Sequence, residues 1–224
     1  MNWTAIWVTC KLASLTSMAL LVIGLPIAYW LTFSKWRWKF LVESIVALPL
    51  VLPPTVLGFY ILVAIGPYSP LGRLYGDLVG QTLPFTFQGL LVASILYSLP
   101  FAVQPFTTAF EQVDRTLIEA SWTLGLSKAK TFFRLIMPLS AAGVITGAVL
   151  SFAHTLGEFG VVLMVGGNLP GITRTVSIAI YDQVQGFQYA AANATALLLL
   201  VFSFAVLAAV YAILRKPWAV PALS

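Results

Sequence analysis

From Leu12 to Phe33 the chain carries no charged side chain. About 20 apolar residues are what a helix needs to cross the hydrocarbon core of a bilayer. Four further apolar segments recur, at about residues 41–65, 89–106, 139–165 and 191–214. Inside hydrocarbon a segment must satisfy its own backbone hydrogen bonds, so each is expected to be a helix. The expected fold is an all-α polytopic membrane protein with five transmembrane helices. Only 8 % of the 224 residues are charged and 60 % are hydrophobic, which leaves no material for a soluble domain. Residues 1–224 therefore read as a single transmembrane domain. The first apolar run is too long for a signal-peptide core and has no small-x-small site after it, so it reads as an uncleaved span. A single Cys10 permits no intrachain disulfide.

Five spans put the termini on opposite sides, and the basic residues decide which. With the N-terminus outside, the inner segments hold Lys35, Arg37, Lys39, Arg115, Lys128, Lys130, Arg134, Arg215 and Lys216. The outer segments hold only Lys11, Arg73 and Arg174. The C-terminus and the loop at 111–138 are thus expected in the cytoplasm. The net charge of +5 is spread along this inner edge, which argues against nucleic acid as a partner.

The second span carries Pro49, Pro53 and Pro54, followed by Thr55. Interior prolines remove donors and clash with the preceding turn, so the helix kinks or breaks near the bilayer midplane. Two readings stand: a packing kink, or Pro53, Pro54 and Thr55 lining a translocation path. The fourth span has Gly143, Gly147 and Ser151 at intervals of four, suited to close helix contact within the chain or at a subunit seam. It also carries His154 and Glu158, four residues apart and so each a candidate partner for the other. On a straight helix Glu158 falls ~28 Å beyond Leu139, at the outer surface. It either snorkels there or acts in the path. No further His, Cys or carboxylate lies nearby to complete a metal site.

Glu119 to Pro138 lies between two spans and is too polar to cross. It reads as a short helix, a turn at Gly125 and a second helix stopped near Pro138: a surface for a soluble partner. The spacing of Glu119-Ala120-Ser121, Gly125 and Leu135-Ile136-Met137-Pro138 resembles the cytoplasmic loop of ABC importer permeases. That resemblance implies a coupling helix seated in an ATPase subunit, with Glu119, Ala120, Ser121, Trp122, Leu124, Gly125 and Pro138 at the contact. Leu156-Gly157-Glu158-Phe159-Gly160 and Asn168-Leu169-Pro170-Gly171-Ile172-Thr173-Arg174-Thr175 resemble the molybdate-type branch. Residues 49–55 do so too. Sulfate permeases share the Gly-Glu-aromatic-Gly element, so that piece alone does not separate the two.

The resemblance implies a homodimer in the inner membrane, driven by a pair of ABC ATPase subunits and fed by an external oxyanion-binding protein. Its path or gate residues are expected among Pro53, Pro54, Thr55, Ser151, Gly157 and Glu158. Asn168, Pro170, Gly171 and Arg174 are expected to face the binding protein. There is no Gly-x-x-x-x-Gly-Lys-Ser/Thr cradle, and one His and one Cys do not furnish an active site. The chain is expected to be a transport subunit, without cofactor or metal, rather than an enzyme. Alternatives are a sulfate, thiosulfate or tungstate permease. A proton-coupled transporter using Glu158 is disfavoured by the lack of an inverted repeat, and a membrane scaffold by the Pro53-Pro54 break.

Overall fold

The computed structural model describes residues 2–214, so Arg215 and Lys216 of the charge count lie outside it. All regular structure among the described residues is helical. It begins with α1 (Trp3–Phe33), α2 (Lys39–Val51), α3 (Pro54–Ile65) and α4 (Pro70–Val79). Next come α5 (Phe87–Glu111), α6 (Arg115–Thr123), α7 (Lys128–Thr131), a π-helical turn at Phe132–Ile136 and α8 (Met137–Leu139). The chain continues through α9 (Ala141–Gly157), α10 (Gly160–Gly166), α11 (Val176–Gln185) and α12 (Tyr189–Leu214). Three helices, α1, α5 and α12, are uninterrupted and apolar enough to span; the number reaches 5 only if two bent pairs each count as one crossing. At 31 residues, α1 runs about 46 Å.

The core lies where α1, α5 and α9 meet. Phe106 and Phe110 of α5 are fully buried there with Leu20 of α1 and Val144 of α9. Small residues make the approach possible: Gly24 of α1 and Gly147 of α9 both abut the Phe106 ring. A Cβ on Gly147 would lie 2.5 Å from that ring and 2.9 Å from the Ala102 carbonyl, and one on Gly143 would lie 2.3 Å from the Ala109 Cβ. The glycine pair on the fourth span therefore serves a contact inside the chain, which decides between the two readings left open by the sequence. Gly147→Ala is expected to cost about 3 kcal/mol through overpacking. Thermal unfolding in detergent measures it, and Phe106→Leu in the same chain should recover part of the loss.

The second and fourth spans are not single rods. α2 and α3 meet at a bend of 118°. A residue before proline is pushed out of the helical region, and here Leu52 precedes Pro53 and Pro53 precedes Pro54. Both are extended, at ψ 138° and 136°, and Pro54 then restarts the helix as its first residue. The fourth segment likewise ends early: α9 stops at Gly157, Glu158 is extended at ψ 130°, and α10 begins at Gly160. No proline causes this break; tertiary packing does. α10 lies against α3, where a Cβ on Gly58 would sit 2.9 Å from Met164 and one on Gly160 2.7 Å from Pro54.

Two of the segments between the apolar spans contain helices. α4 has Ser69 as its cap, accepting from the Gly72 N–H at 2.8 Å, and Pro70 in its first turn, and it ends at left-handed Gly80. α11 is capped by Thr175 and is tied to α1 by a 2.8 Å bond from the Val176 N–H to Thr9 Oγ1.

The second helix of the hairpin ends at Leu139, next to Pro138, where the sequence had placed its stop. The chain turns by 75° at Ser140, whose hydroxyl donates to the Ala109 carbonyl at 3.1 Å. A proline inside a regular helix clashes with the carbonyl four residues back. The π-turn immediately before Pro138 widens the spiral where that carbonyl would sit.

Candidate functional site

The two breaks form one site. Pro54 and Thr55 from the α2–α3 break, and Gly157, Glu158 and Gly160 from the α9–α10 break, line a hollow of about 600 Å³ with Tyr97 and His154. Segments a hundred residues apart are thereby brought together by the α3–α10 contact. Pro54, Thr55 and Gly157 of this lining are exposed, as is Pro53 next to them in the chain, so the chain by itself leaves this hollow open.

Glu158 is the exception to that exposure. Its side chain is buried at 3 % relative exposure, and neither carboxylate oxygen has a hydrogen-bond partner among the described residues. The Ser94 hydroxyl, which faces it, is also unpartnered. Burying a carboxylate without a partner is costly, so a residue kept this way is a functional candidate by default. His154 is not its partner. Its Nδ1 lies 3.0 Å from Ser98 Oγ, which also contacts Thr155 Oγ1 at 3.0 Å, and its ring stacks on Phe101 at 3.9 Å. Helical spacing across four residues had paired His154 with Glu158, but the helix ends between them. Glu158 is also buried within the protein rather than extended toward an aqueous surface.

Ser151 does not join the hollow. It is buried on the face of α9 toward the core and donates to the Ala148 carbonyl at 2.9 Å, the carbonyl that also accepts from Ser17 at 2.7 Å.

The Glu119–Pro138 stretch forms a helical hairpin. Asp114 caps α6: the Thr116 N–H donates to its carboxylate at 2.8 Å, which holds that carboxyl below its usual range. At the other end Gly125 is left-handed, at φ +81°. The Leu126 N–H reaches the Ser121 carbonyl at 3.0 Å and the Gly125 N–H the Trp122 carbonyl at 2.9 Å, the bond pattern of a Schellman cap. This cap throws Leu124 outward, 81 % exposed, beside exposed Glu119, Ala120 and Trp122. Pro138 is exposed as well. Ser121 is the one expected contact residue that faces inward. It is buried, and its hydroxyl lies 2.9 Å from Thr131 Oγ1, bracing α6 on α7.

In the segment after α10, two expected contact residues also turn inward. Asn168 donates to both oxygens of Asp182 at 2.9 and 2.7 Å, and Arg174 donates to Asn168 and pairs with Asp182 at 3.6 Å. They hold the loop, while Pro170 and Gly171 stand exposed at its tip with Leu169 and Ile172. Asp182, the one acid between residues 165 and 190 as Arg174 is the one base, is the partner that holds both.

Residues 21–218 match the family described as binding-protein-dependent transport system inner membrane component. The chain is 54 % identical to the molybdenum transport system permease protein ModB of Azotobacter vinelandii, over 92 % of each chain. It is 37 % identical to the ModB of Escherichia coli (strain K12), over 82 % of this chain and 80 % of that one. A probable sulfate transport system permease protein, cysT of Chlorella vulgaris, is 32 % identical over 91 % of this chain and 77 % of its own length. The MetNI methionine ABC transporter, in an inward-facing conformation, has a chain of similar fold, with a TM-score of 0.73 and 18 % identity over 96 % of this chain and 95 % of that one.

Proposed function

The chain belongs to the family of binding-protein-dependent transport system inner membrane components, and on that premise we propose how it works as the permease of an ATP-driven molybdate importer. The observation that carries the substrate is the near full-length likeness to a molybdenum permease at 54 % identity, against 32 % for the sulfate relative. Tungstate, another tetrahedral dianion, is expected to share the route.

Two copies of the chain face each other across the open hollow, so that Pro53, Pro54, Thr55, Gly157 and Glu158 line a path completed at the seam. The exposure of four of these residues supports this arrangement, since a path open to lipid on one side needs a second wall. The hairpin at Gly125 seats in an ATPase subunit, with Leu124 as its leading apolar contact. Closure of two ATPase subunits on ATP draws the two hairpins together and turns the path outward; hydrolysis reverses it. The N-terminus is outside. Support for that orientation comes from cations distant in sequence, Lys35, Lys39, Arg115 and Lys128, which share one hollow at the hairpin's end of the molecule. At the other end, the Leu169–Ile172 tip receives the binding protein.

The test is ATP hydrolysis by the chain reconstituted in liposomes with its ATPase and binding protein. Molybdate-loaded binding protein is expected to stimulate hydrolysis, tungstate to do so comparably and sulfate weakly. Stimulation by sulfate alone would transfer the chain to the sulfate branch.

A further inference from the structure

A second hollow, of about 490 Å³, lies between the end of α1 and the coupling hairpin. That size suits a small ligand. Four cations line it, Lys35, Lys39, Arg115 and Lys128, against a single acid, Glu119. Lys39 is already engaged, donating to the Leu31 carbonyl at 3.2 Å and pairing with Glu43 at 3.7 Å. Lys35, Arg115 and Lys128 form no ion pair among the described residues. They come from three separate segments: the α1–α2 connection, the start of α6 and the start of α7. Like charges converging on one concavity repel unless an anion joins them.

The walls indicate where that anion comes from. Trp30, from the last turns of α1, lines the hollow and packs against Trp36 with ring centroids 5.8 Å apart. Just outside the hollow, Arg37 lies over the Trp38 ring at 5.0 Å. Indoles beside cations at a helix end mark the headgroup level of a membrane.

We infer that this hollow binds a tetrahedral phosphate-type oxyanion, carried by an acidic phospholipid headgroup or free in solution. This rests on the orientation proposed above. Bound there, the anion would tie α6 and α7 to the end of α1, so its occupancy would govern how rigidly the hairpin is presented to the ATPase.

The experiment uses the full chain in neutral detergent. Native mass spectrometry reads retention of added phosphatidylglycerol against phosphatidylcholine; calorimetry reads binding of inorganic phosphate and molybdate. The hollow variant combines Lys35→Gln, Arg115→Gln and Lys128→Gln. A control with the same charge loss combines Arg37→Gln, Lys130→Gln and Arg134→Gln, outside the hollow. Wild type and control are expected to retain phosphatidylglycerol at least about tenfold better than the hollow variant. Equal lipid retention, with phosphate or molybdate binding lost only in the hollow variant, would make the free oxyanion the occupant. If neither lipid nor free anion separates the hollow variant from the control, the inference is overturned. Failed ATPase assembly in the hollow variant, without any difference in anion binding, overturns it too and assigns the hollow to the ATPase seat. Absence of molybdate transport with lipid retention intact would strike the transport reading alone.

Discussion

Gly125→Val is expected to cut the ATP hydrolysis stimulated by loaded binding protein at least about tenfold while leaving the membrane-embedded helices folded. Gly125 closes α6 at φ +81°, a region that costs an L-residue roughly 1–2 kcal/mol and a β-branched one more. No heavy atom lies within 4 Å of where a Cβ would stand, so the penalty is one of backbone conformation and not of crowding. The cap relieves it by unwinding, which breaks the bond from the Leu126 N–H to the Ser121 carbonyl and withdraws Leu124 from its exposed position. In the coupling proposed above hydrolysis depends on that projection, so a small conformational free energy at one residue is expected to remove a large effect. Gly125→Asn is the control: asparagine tolerates the left-handed region and should keep most of the stimulation. Full stimulation in the valine variant would show that the hairpin is not where the ATPase engages.

The contrast between this turn and the hollow explains what could be read from the sequence. The turn at Gly125 is local chemistry: a glycine after a short helix is legible without tertiary knowledge. The break at Pro53 was legible too, though not its angle. A Pro-Pro pair says that the helix stops, while the 118° return depends on α10 arriving to pack on α3. The break at Glu158 left only weak local marks, Gly157 and Gly160, and counting along a straight helix did not reveal its burial. His154 found its partner 56 residues away on α5, a distance at which spacing rules are silent. Pro138 was legible as the mark of a helix end, while the π-turn that admits it was not. The hairpin was thus more legible than the hollow: one is a local motif, the other a meeting of distant segments.

Glu158→Gln should separate the demands of folding from those of transport. A buried carboxylate without a hydrogen-bond partner is a burden on the fold. The amide is nearly the same shape, carries no charge to desolvate, and brings a donor toward the unpartnered Ser94 hydroxyl. Unfolding in detergent is therefore expected to shift upward, by an amount on the order of 1–3 kcal/mol. Transport is expected to move the other way, falling at least about tenfold, because the same residue stands where the two broken helices meet and lines the hollow between them. A stability gain with loss of function is the signature of a residue kept for activity at the expense of the fold. A purely structural Glu158 gives the opposite pairing, with transport unchanged and stability equal or lower. Glu158→Ala adds a second reading. It also removes the charge but opens a cavity, so stability should drop while transport falls as in the glutamine variant. If transport instead followed stability across the two variants, Glu158 would be a packing residue and the gate would have to lie elsewhere in the hollow, at Thr55 or His154.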